Sequence, residues 1–236
     1  MFSRTAELYD AFYREKDYRA EARSVAGVIR ARVPTAATLL DVACGTGEHA
    51  RFLAEDHAFS VEGTDLEPGL LKIAATKVPA AAFHVADMVD FALGRRYDAV
   101  TCLFGSIGYV RTEPALRRAL AAMARHLVPG GVLVVEPWFE PGTMTHGFVT
   151  LLSTELPDGA TACRMSHTRV DGRLSHLRFE YLLGDANGLR RESEVHELGL
   201  FSRDETTAAM SAAGLRDIAF DEQGPSGRGL YVATCP

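Results

Sequence analysis

The sequence predicts an α/β fold in which a doubly wound parallel sheet carries an antiparallel β insertion. Short runs rich in Val, Leu and Ala alternate with helical segments between residues 38 and 136, and these runs lack the polar alternation of half-exposed strands. This order is typical of parallel strands with helices on both faces. From residue 162 onward, polar and apolar residues alternate instead, which predicts antiparallel strands.

Each element has its own local evidence. Residues 5–32 predict a helix with a break near Lys16, because Asp17 is a suitable N-cap and Pro34 ends the helix. The alternation then predicts strand 38–43, helix 47–56, strand 59–64, helix 68–77, strands 82–86 and 97–103, helix 112–127 and strand 131–136. The chain closes with helix 203–213 and strands near 215–221 and 229–234.

The insertion follows the strand that ends in Val-Val-Glu-Pro-Trp and covers residues 142–201. The Asp171-Gly172 pair lies between two alternating runs, which predicts a hairpin turn there. A further strand is expected in the stretch Glu-Ser-Glu-Val-His-Glu-Leu-Gly-Leu-Phe. Because no repeat or low-complexity linker separates these parts, we expect residues 1–236 to form a single domain.

Composition excludes several classes of function. The net charge of -6 at pH 7 argues against a general nucleic-acid or membrane-surface binder, because both need a basic footprint. No apolar run approaches the roughly 20 residues of a membrane span, and the start shows no apolar signal region, so we expect a cytoplasmic protein. The cysteines are scattered singly, which predicts small buried thiols and no metal site (Cys44, Cys102, Cys163 and Cys235).

A glycine turn follows the first strand and predicts a nucleotide site. Residues 45–50 fit the pattern G-x-G-x-x-G/A, and Asp65 ends the second strand, where a carboxylate can accept hydrogen bonds from both ribose hydroxyls. The pattern alone does not separate NAD from S-adenosylmethionine.

Three features favour S-adenosylmethionine. Asp41, just before the glycines, suits the methionine ammonium or the sulfonium but would repel a pyrophosphate. No Lys-Ser/Thr pair follows the glycines, which argues against ATP hydrolysis. Asp87 follows the third strand, where it could accept the adenine amino group while Met88 lies on the ring.

The order of these motifs resembles the class I S-adenosylmethionine-dependent methyltransferases, which implies a Rossmann-like fold. Further stretches resemble the TDP-amino-sugar N,N-dimethyltransferases of the desosamine and mycaminose type: AELYDAFY with KDY, LLDVACGTGEH, VVEPW and GPSGRGLY. This resemblance implies methyl transfer from S-adenosylmethionine to the amino nitrogen of a TDP-linked amino-deoxy sugar in antibiotic sugar biosynthesis. It also implies a homodimer, to which the insertion could contribute the contact.

The motifs and the resemblance together assign the cofactor site. Tyr9 and Tyr18 are expected to close over the methionine end. The complete set expected to bind the cofactor is Tyr9, Tyr18, Asp41, Ala43, Gly45, Gly47, Asp65, Leu66, Asp87, Met88 and Leu103.

The acceptor site is expected around Trp138 and Arg228. Trp138 is predicted to form a wall for the sugar or the thymine. Arg228 lies in a Gly-Pro-Ser-Gly-Arg-Gly turn with Ser226, and a guanidinium with free backbone N–H groups suits a diphosphate. Arg164 and Ser166 share one face of the hairpin and are second candidates, with Arg178 a weaker third.

A strong base is less necessary than orientation, because the sulfonium already makes the methyl group electrophilic. Tyr109 and His167 are candidate weak bases, and Glu136 is a candidate for orienting the substrate ammonium. Tyr109 stands where some relatives have His, while His196 is interpreted as a strand residue. Phe2 stands near the position of a substrate-contacting Tyr in relatives, so the sugar preference could differ.

Three alternatives stay open at this point. A class I O- or C-methyltransferase would keep the same cofactor site but act on a different small molecule. A non-catalytic module would bind S-adenosylmethionine without turnover. An NAD(P) oxidoreductase would use the same glycine turn for a different nucleotide.

Overall fold

The computed structural model describes residues 6–236, with side chains from Leu8 onward. A seven-stranded central sheet lies within this range. Phe2 lies outside the described residues. The strands of this sheet are β1 (Thr38–Val42), β2 (Ser60–Asp65), β3 (Ala82–Val85), β4 (Tyr97–Cys102), β5 (Leu127–Val135), β10 (Arg216–Asp221) and β11 (Leu230–Thr234). Their order is β10-β11-β5-β4-β1-β2-β3.

The strand pairing is that of a doubly wound sheet. Strands β1 to β5 pair in parallel, whereas β11 lies antiparallel to β5 and β10 antiparallel to β11. The chain winds outward in both directions from neighbouring β1 and β4, so a crevice opens at their carboxyl ends. The predicted fold class is confirmed.

Helices cover both faces of this sheet. They are α1 (Ala6–Phe12), α2 (Tyr18–Arg32), α3 (Glu48–Glu55), α4 (Pro68–Lys77), α5 (Glu113–Arg125) and α6 (Arg203–Ala212), with a 3-10 helix at Ser106–Val110. On β1, the fully buried Leu39 packs in a cluster with Ile29 of α2, and the fully buried Leu40 in a cluster with Leu120 of α5. Burial of neighbouring residues on opposite faces explains why this strand shows no polar alternation.

The predicted break between the first helices is confirmed. The Asp17 side chain accepts a hydrogen bond of 2.9 Å from the backbone N–H of Ala20, which satisfies one free donor of the first turn of α2. No helix among residues 6–236 is long and apolar enough to cross a bilayer.

The boundaries around β5 differ from the prediction. Helix α5 ends at Arg125 and the strand already begins at Leu127, because Leu127 pairs with Tyr97 ahead of the Val-Pro-Gly-Gly stretch. A register shift follows, and Val132 then pairs with Ala99. A bulge with Pro and Gly inside a strand obscures its start in the sequence.

The insertion forms a second, four-stranded antiparallel sheet in the order β6-β7-β8-β9. Its strands are β6 (Val149–Glu155), β7 (Thr161–Asp171), β8 (Leu174–Asp185) and β9 (Gly188–Gly199). The predicted turn between β7 and β8 is confirmed, but β6 was missing from the predicted elements. Leu151 and Leu152 of β6 are both exposed, so this strand lacks the alternation that reveals a half-buried strand.

The polar residues of β7 face inward. Arg164, Ser166 and Thr168 are buried, while Met165 between them is half exposed. The sheet therefore packs these polar residues, together with an apolar cluster of Phe179, Tyr181 and Leu183, toward α1, while its outer face carries both apolar and charged side chains.

Candidate active site

A cleft opens at the carboxyl ends of β1 and β4. Its walls are Tyr9, Tyr18, Asp41, Ala43, Cys44, Gly45, Thr46, Glu48, His49, Leu103, Phe104 and Ser106. Six residues predicted to bind the cofactor are among them, namely Tyr9, Tyr18, Asp41, Ala43, Gly45 and Leu103. The topological switch point thus coincides with the predicted nucleotide site.

Asp41 places a buried acid in this cleft. It is 2% exposed and accepts a hydrogen bond of 2.8 Å from the Thr101 hydroxyl. Burial raises the pKa of its carboxyl to about 6. A buried carboxylate of this kind favours a ligand that brings positive charge, such as an ammonium or a sulfonium.

The glycine turn is held by Asp65. The Asp65 carboxylate accepts hydrogen bonds of 2.9 Å from the backbone N–H groups of Gly45 and Glu67. Gly45 and Gly47 both adopt positive φ, and a Cβ on Gly47 would lie 2.9 Å from the Cβ of Ala74. Gly47 therefore allows α3 and α4 to approach, and lies outside the cleft lining.

The other predicted adenosine residues lie beside the cleft rather than in its lining. Leu66 is 55% exposed. Asp87 is exposed and accepts a hydrogen bond from the backbone N–H of Val89, and Met88 packs against the core. All three follow the ends of β2 and β3, on the same edge of the sheet as Asp41.

Helix α1 covers the glycine turn. Its Asp10 accepts a hydrogen bond of 2.6 Å from the Thr46 hydroxyl and forms an ion pair of 2.5 Å with Lys77 of α4. Tyr9 and Tyr18 line the cleft from above and are hydrogen-bonded to each other. Burial raises the pKa of both phenols, so they remain neutral donors at ordinary pH.

Sequence reasoning missed a buried charge cluster beside the cleft. Glu21 of α2 contacts the Nε2 atom of His49 at 2.8 Å and also pairs with Lys16. Burial would raise the pKa of Glu21, but the hydrogen bonds from His49 and Lys16 hold it below its usual value. His49 occupies a variable position of the glycine pattern, and that pattern carries no information about such positions.

Glu136 connects β5 with two other parts of the chain. It is fully buried and accepts hydrogen bonds from the Phe104 backbone N–H at 2.7 Å, from Arg228 Nη2 at 2.9 Å and from the Ser226 hydroxyl. The predicted contact with a substrate ammonium is therefore replaced, in this structure, by contacts within the chain.

Trp138 and Arg228 lie together beside this carboxylate. The Arg228 guanidinium carbon lies 4.9 Å from the Phe104 ring centre and 5.6 Å from that of Trp138. The indole Nε1–H of Trp138 donates a hydrogen bond of 3.0 Å to the Ser175 hydroxyl of the insertion sheet. Arg228 Nε is buried and has no hydrogen-bond partner within residues 6–236, so it remains available to an acceptor.

Two further residues predicted to bind the substrate, Arg164 and Ser166, make contacts within the chain. Arg164 is buried against Phe12, Tyr13 and Phe179, and donates a hydrogen bond of 3.4 Å to the Tyr13 hydroxyl. It thus holds α1 against the insertion sheet. Ser166 on the same face bonds to the Thr150 hydroxyl of β6.

Two predicted residues point away from the site. Arg178 is exposed and pairs with Glu180 at 2.7 Å on the outer face of the insertion sheet. His167 is also exposed, on the same outer face. Both assignments need correction, because side chains of a strand alternate between faces and these residues have the opposite parity to their buried neighbours.

A different histidine meets Tyr109. His196 of β9 is fully buried, and its Nδ1 atom lies 3.0 Å from the Tyr109 hydroxyl. The sequence interpretation of His196 as a strand residue is confirmed, but it did not foresee this contact. The alternation of polar and apolar residues along β9 could have placed His196 on the inner face of the sheet. It carries no information about the contact with Tyr109, which lies 87 positions away in the chain.

Comparisons with known proteins identify the family. A family model described as a methyltransferase domain matches residues 39–131. The dTDP-3-amino-3,4,6-trideoxy-alpha-D-glucopyranose N,N-dimethyltransferase of Streptomyces venezuelae is 43% identical over 230 residues, covering 96% of each chain. The dTDP-4-amino-2,3,4,6-tetradeoxy-D-glucose N,N-dimethyltransferase of Saccharopolyspora spinosa is 41% identical, covering 96% of this chain and 91% of that one. The chain belongs to the amino-sugar N-methyltransferases.

A solved member of the family supports the cofactor. The S-adenosylmethionine-bound structure of CalS10 from Micromonospora echinaspora, an amino pentose methyltransferase involved in calicheamicin biosynthesis, superposes with a TM-score of 0.87. The two chains are 43% identical, and 97% of each is covered. This amino-sugar N-methyltransferase uses S-adenosylmethionine, and its cleft fits that molecule, because the buried acid Asp41 faces a space bounded by the glycine turn.

Proposed function

We propose that the protein transfers methyl groups from S-adenosylmethionine to the amino nitrogen of a TDP-linked amino-deoxy sugar, giving an N,N-dimethylated product. The observation that carries this proposal is the adjacency of two differently charged regions. An acidic cleft suits the cationic cofactor, and the cluster of Trp138 and Arg228 beside it suits a nucleotide diphosphate. The relatives act on dTDP-linked 3-amino and 4-amino sugars, so the position of the amine is left open.

The reaction mainly requires positioning. The lone pair of a neutral amine attacks the methyl carbon, a C–N bond forms as the S–CH3 bond breaks, and the sulfonium becomes a neutral thioether. The new ammonium then loses a proton and can be methylated again. Holding the two reactants in line can contribute roughly 7–11 kcal/mol to such a step.

Residues of this chain are assigned accordingly. We assign the cofactor to the cleft, with Asp41 near its positive groups and Asp65, Leu66, Asp87 and Met88 toward the adenosine. Trp138 provides a wall for the sugar or the thymine. The unpaired Nε of Arg228, with the Ser226 turn beside it, is offered to the diphosphate.

Mass spectrometry tests the proposal directly. Incubation of the protein with S-adenosylmethionine and a TDP-3-amino-3,6-dideoxyhexose, or the 4-amino isomer, is expected to add two methyl groups through a monomethyl intermediate. Arg228→Met is expected to raise the KM for the sugar nucleotide at least tenfold, while the matched control Arg203→Met leaves it unchanged. Unchanged amino sugars with methylation of a hydroxyl or carbon would instead identify an O- or C-methyltransferase.

Two further properties are proposed with this function. The protein is assigned to the cytoplasm, where S-adenosylmethionine and nucleotide sugars are made, and cell fractionation tests this. We also assign a homodimer formed through the outer face of the insertion sheet, where Leu151, Met165 and Val195 are at least 50% exposed. Analytical ultracentrifugation is expected to give twice the chain mass, and Met165→Lys is expected to shift it toward the monomer.

A further inference from the structure

A chain of three hydrogen-bonded polar side chains, with a fully buried histidine at its centre, leads from the cleft side into the insertion sheet. The 3-10 helix begins at Ser106, which lines the cleft, and carries Tyr109 at its far end. Tyr109 contacts His196 Nδ1 at 3.0 Å, and His196 Nε2 lies 3.3 Å from Glu194 Oε2. The His196 side chain is fully shielded from solvent and that of Glu194 is 8% exposed.

The partners of His196 determine where its hydrogen lies. A carboxylate only accepts hydrogen bonds, so the Nε2 atom facing Glu194 carries the hydrogen when the imidazole is neutral. Nδ1 is then an acceptor, and the Tyr109 hydroxyl donates to it. The oxygen of Tyr109 keeps a free lone pair with which it can accept a proton from another donor.

Tyr109 is placed on the cleft side of this chain. It lies close enough to Tyr9, a cleft residue, for the two phenols to interact electrostatically, and Asp65 at the end of β2 acts on it as well. The substrate amine must also reach this region, because the methyl group that it attacks is bound in the cleft.

We propose that Tyr109, His196 and Glu194 form a relay that removes the proton from the substrate ammonium before methyl transfer. This inference rests on the proposed function and adds the groups that prepare its nucleophile. Tyr109 is the residue that touches the substrate, and His196 and Glu194 are positioning residues that act through it.

The step balances without any further reactant. The ammonium N–H bond breaks and its proton goes to the Tyr109 oxygen, while the Tyr109 proton goes to His196 Nδ1. The amine becomes neutral with its lone pair free, Tyr109 is unchanged, and His196 becomes an imidazolium beside the Glu194 carboxylate. The proton later leaves to solvent when the product departs.

Every element packed around His196 contributes to its charge environment. The 3-10 helix brings Tyr109, β9 brings Glu194, and β8 brings Tyr181, whose hydroxyl lies 3.5 Å from Glu194, together with the ring of Phe179. Beyond that ring, β7 brings Arg164, and the turn after α1 brings Tyr13. Among the described residues, the Glu194 carboxylate contacts the imidazole directly and the Arg164 guanidinium lies over the Phe179 ring. A carboxylate in direct contact favours the charged imidazolium.

The decisive variant is His196→Asn, whose amide oxygen can still accept from Tyr109 but cannot take up a proton. At pH 7 we expect its kcat/KM for the amino sugar to fall about 10- to 100-fold. At pH 9.5 the sugar amine, with a pKa of roughly 8 like an α-amino group, is already neutral, so the rate is expected within about threefold of the parent. Tyr109→Phe is expected to show the same pH-dependent loss.

His176→Asn is the matched control, because His176 also pairs with a glutamate of β9, Glu197 at 3.4 Å, but is not part of the relay. It is expected to keep the parent profile. The dissociation constant of S-adenosylmethionine, measured by calorimetry, verifies that each variant is folded.

The outcomes separate the relay from the proposed function. If His196→Asn loses the same factor in kcat/KM at every pH, or keeps the pH profile of the parent, the relay is overturned. The proposed function still holds in that case, because the parent methylates the amino sugar. If the parent itself leaves amino sugars unmethylated, both are overturned.

Discussion

Asp41 illustrates how a buried acid in the cleft reduces the stability of the protein that carries it. Its carboxylate is buried with one neutral hydrogen-bond donor, Thr101, and burial raises its pKa from 3.8 to about 6. The ionised side chain is therefore less favourable in the folded protein than in the unfolded chain. A cationic ligand offsets that cost when it binds.

Asp41→Asn is expected to stabilise the unliganded protein by about 3 kcal/mol at pH 8, because a difference of about two pKa units corresponds to that free energy. Because the pKa of Asp41 is higher in the folded protein than in the unfolded chain, the free energy of unfolding falls as the pH rises from about 4 to 6. The gain from Asn should therefore be absent below pH 4 and complete above about pH 6. Urea unfolding across this range measures it.

The same substitution is expected to weaken S-adenosylmethionine binding at least tenfold by calorimetry. Asp98→Asn is the control of opposite sign, because hydrogen bonds from Ala37 and Thr38 keep the pKa of Asp98 low despite partial burial. It is expected to destabilise the protein and leave cofactor affinity unchanged. Equal stability of Asp41→Asn and parent at pH 8 would contradict the burial argument.

Gly105 determines where Trp138 can lie. It adopts φ +73°, and a Cβ there would come within 2.7 Å of Trp138 Cε3. Gly105→Ala is expected to displace the indole and raise the KM for the sugar nucleotide about tenfold, with the KM for S-adenosylmethionine unchanged. Steady-state kinetics with each substrate varied in turn checks this.

Gly142→Ala is the matched control for backbone strain. Gly142 also has positive φ, +82°, but a Cβ there meets nothing within 4 Å. If both variants lose the same sugar affinity, strain rather than the indole position is responsible.

At the residue scale, local order in the chain predicts which residues reach the cleft better than it predicts the faces of the insertion strands. Asp41 lies near the end of strand β1 and Gly45 in the turn after it, so local order in the chain places both in the cleft. His167 is assigned to the site by its sequence position and Arg178 as a third candidate after Arg164 and Ser166, but a shift of one position along a strand reverses the face. Residues such as His49 and Glu21 meet only through helix packing, which no motif records.

At the scale of elements, Arg164 is one of the contacts that hold α1 against the insertion sheet. The guanidinium lies within 5.2 Å of the Phe12, Tyr13 and Phe179 ring centres, and thus joins α1 to β7 and β8. Such contacts contribute roughly 0.5–2 kcal/mol each when desolvated. Since α1 also contacts the glycine turn through Asp10, this helix links the insertion sheet to the cofactor cleft.

Arg164→Met is expected to loosen α1 and to raise the dissociation constant of S-adenosylmethionine about three- to tenfold, because Tyr9 is then held less firmly. Trypsin cleavage at Arg14 should become faster. The matched variant Arg169→Met lies on the exposed face of the same strand and should change neither quantity. Unaltered cleavage in Arg164→Met would show that α1 is held by other contacts.

The elements most accurately predicted are those buried on both faces or bounded by caps. Helix α4 matches the predicted 68–77, and the hairpin turn lies where Asp171-Gly172 placed it. Strand β6 was not predicted, because the apolar side chains on both of its faces are exposed. Its place in the sheet is fixed by pairing with β7, a non-local interaction that leaves no periodic pattern.

On the scale of the whole molecule, the insertion and the central sheet share their buried contacts. Trp138, the single tryptophan of the chain, follows β5 and donates to Ser175 of β8, while Gly108 packs against Leu198 of β9. We therefore propose that the two sheets unfold as one unit.

Thermal unfolding tests this cooperativity. Trp138 fluorescence, which reports the junction of the sheets, and far-ultraviolet circular dichroism, which reports all strands and helices, are expected to give the same midpoint within about 1 °C. Two separated transitions would show that residues 142–201 are an independent unit.

The sheet order has a consequence for how the protein is made in the cell. Strand β11 is the antiparallel neighbour of β5, and Ser226 and Arg228 just before it complete the contacts of Glu136. A ribosome releases these residues only after all of β1 to β5 has emerged. Until then a nascent chain has the residues that line the cofactor cleft, but it exposes one edge of β5 and leaves Glu136 without Ser226 and Arg228. Chains stalled before residue 224 should therefore depend on chaperones and be sensitive to proteases.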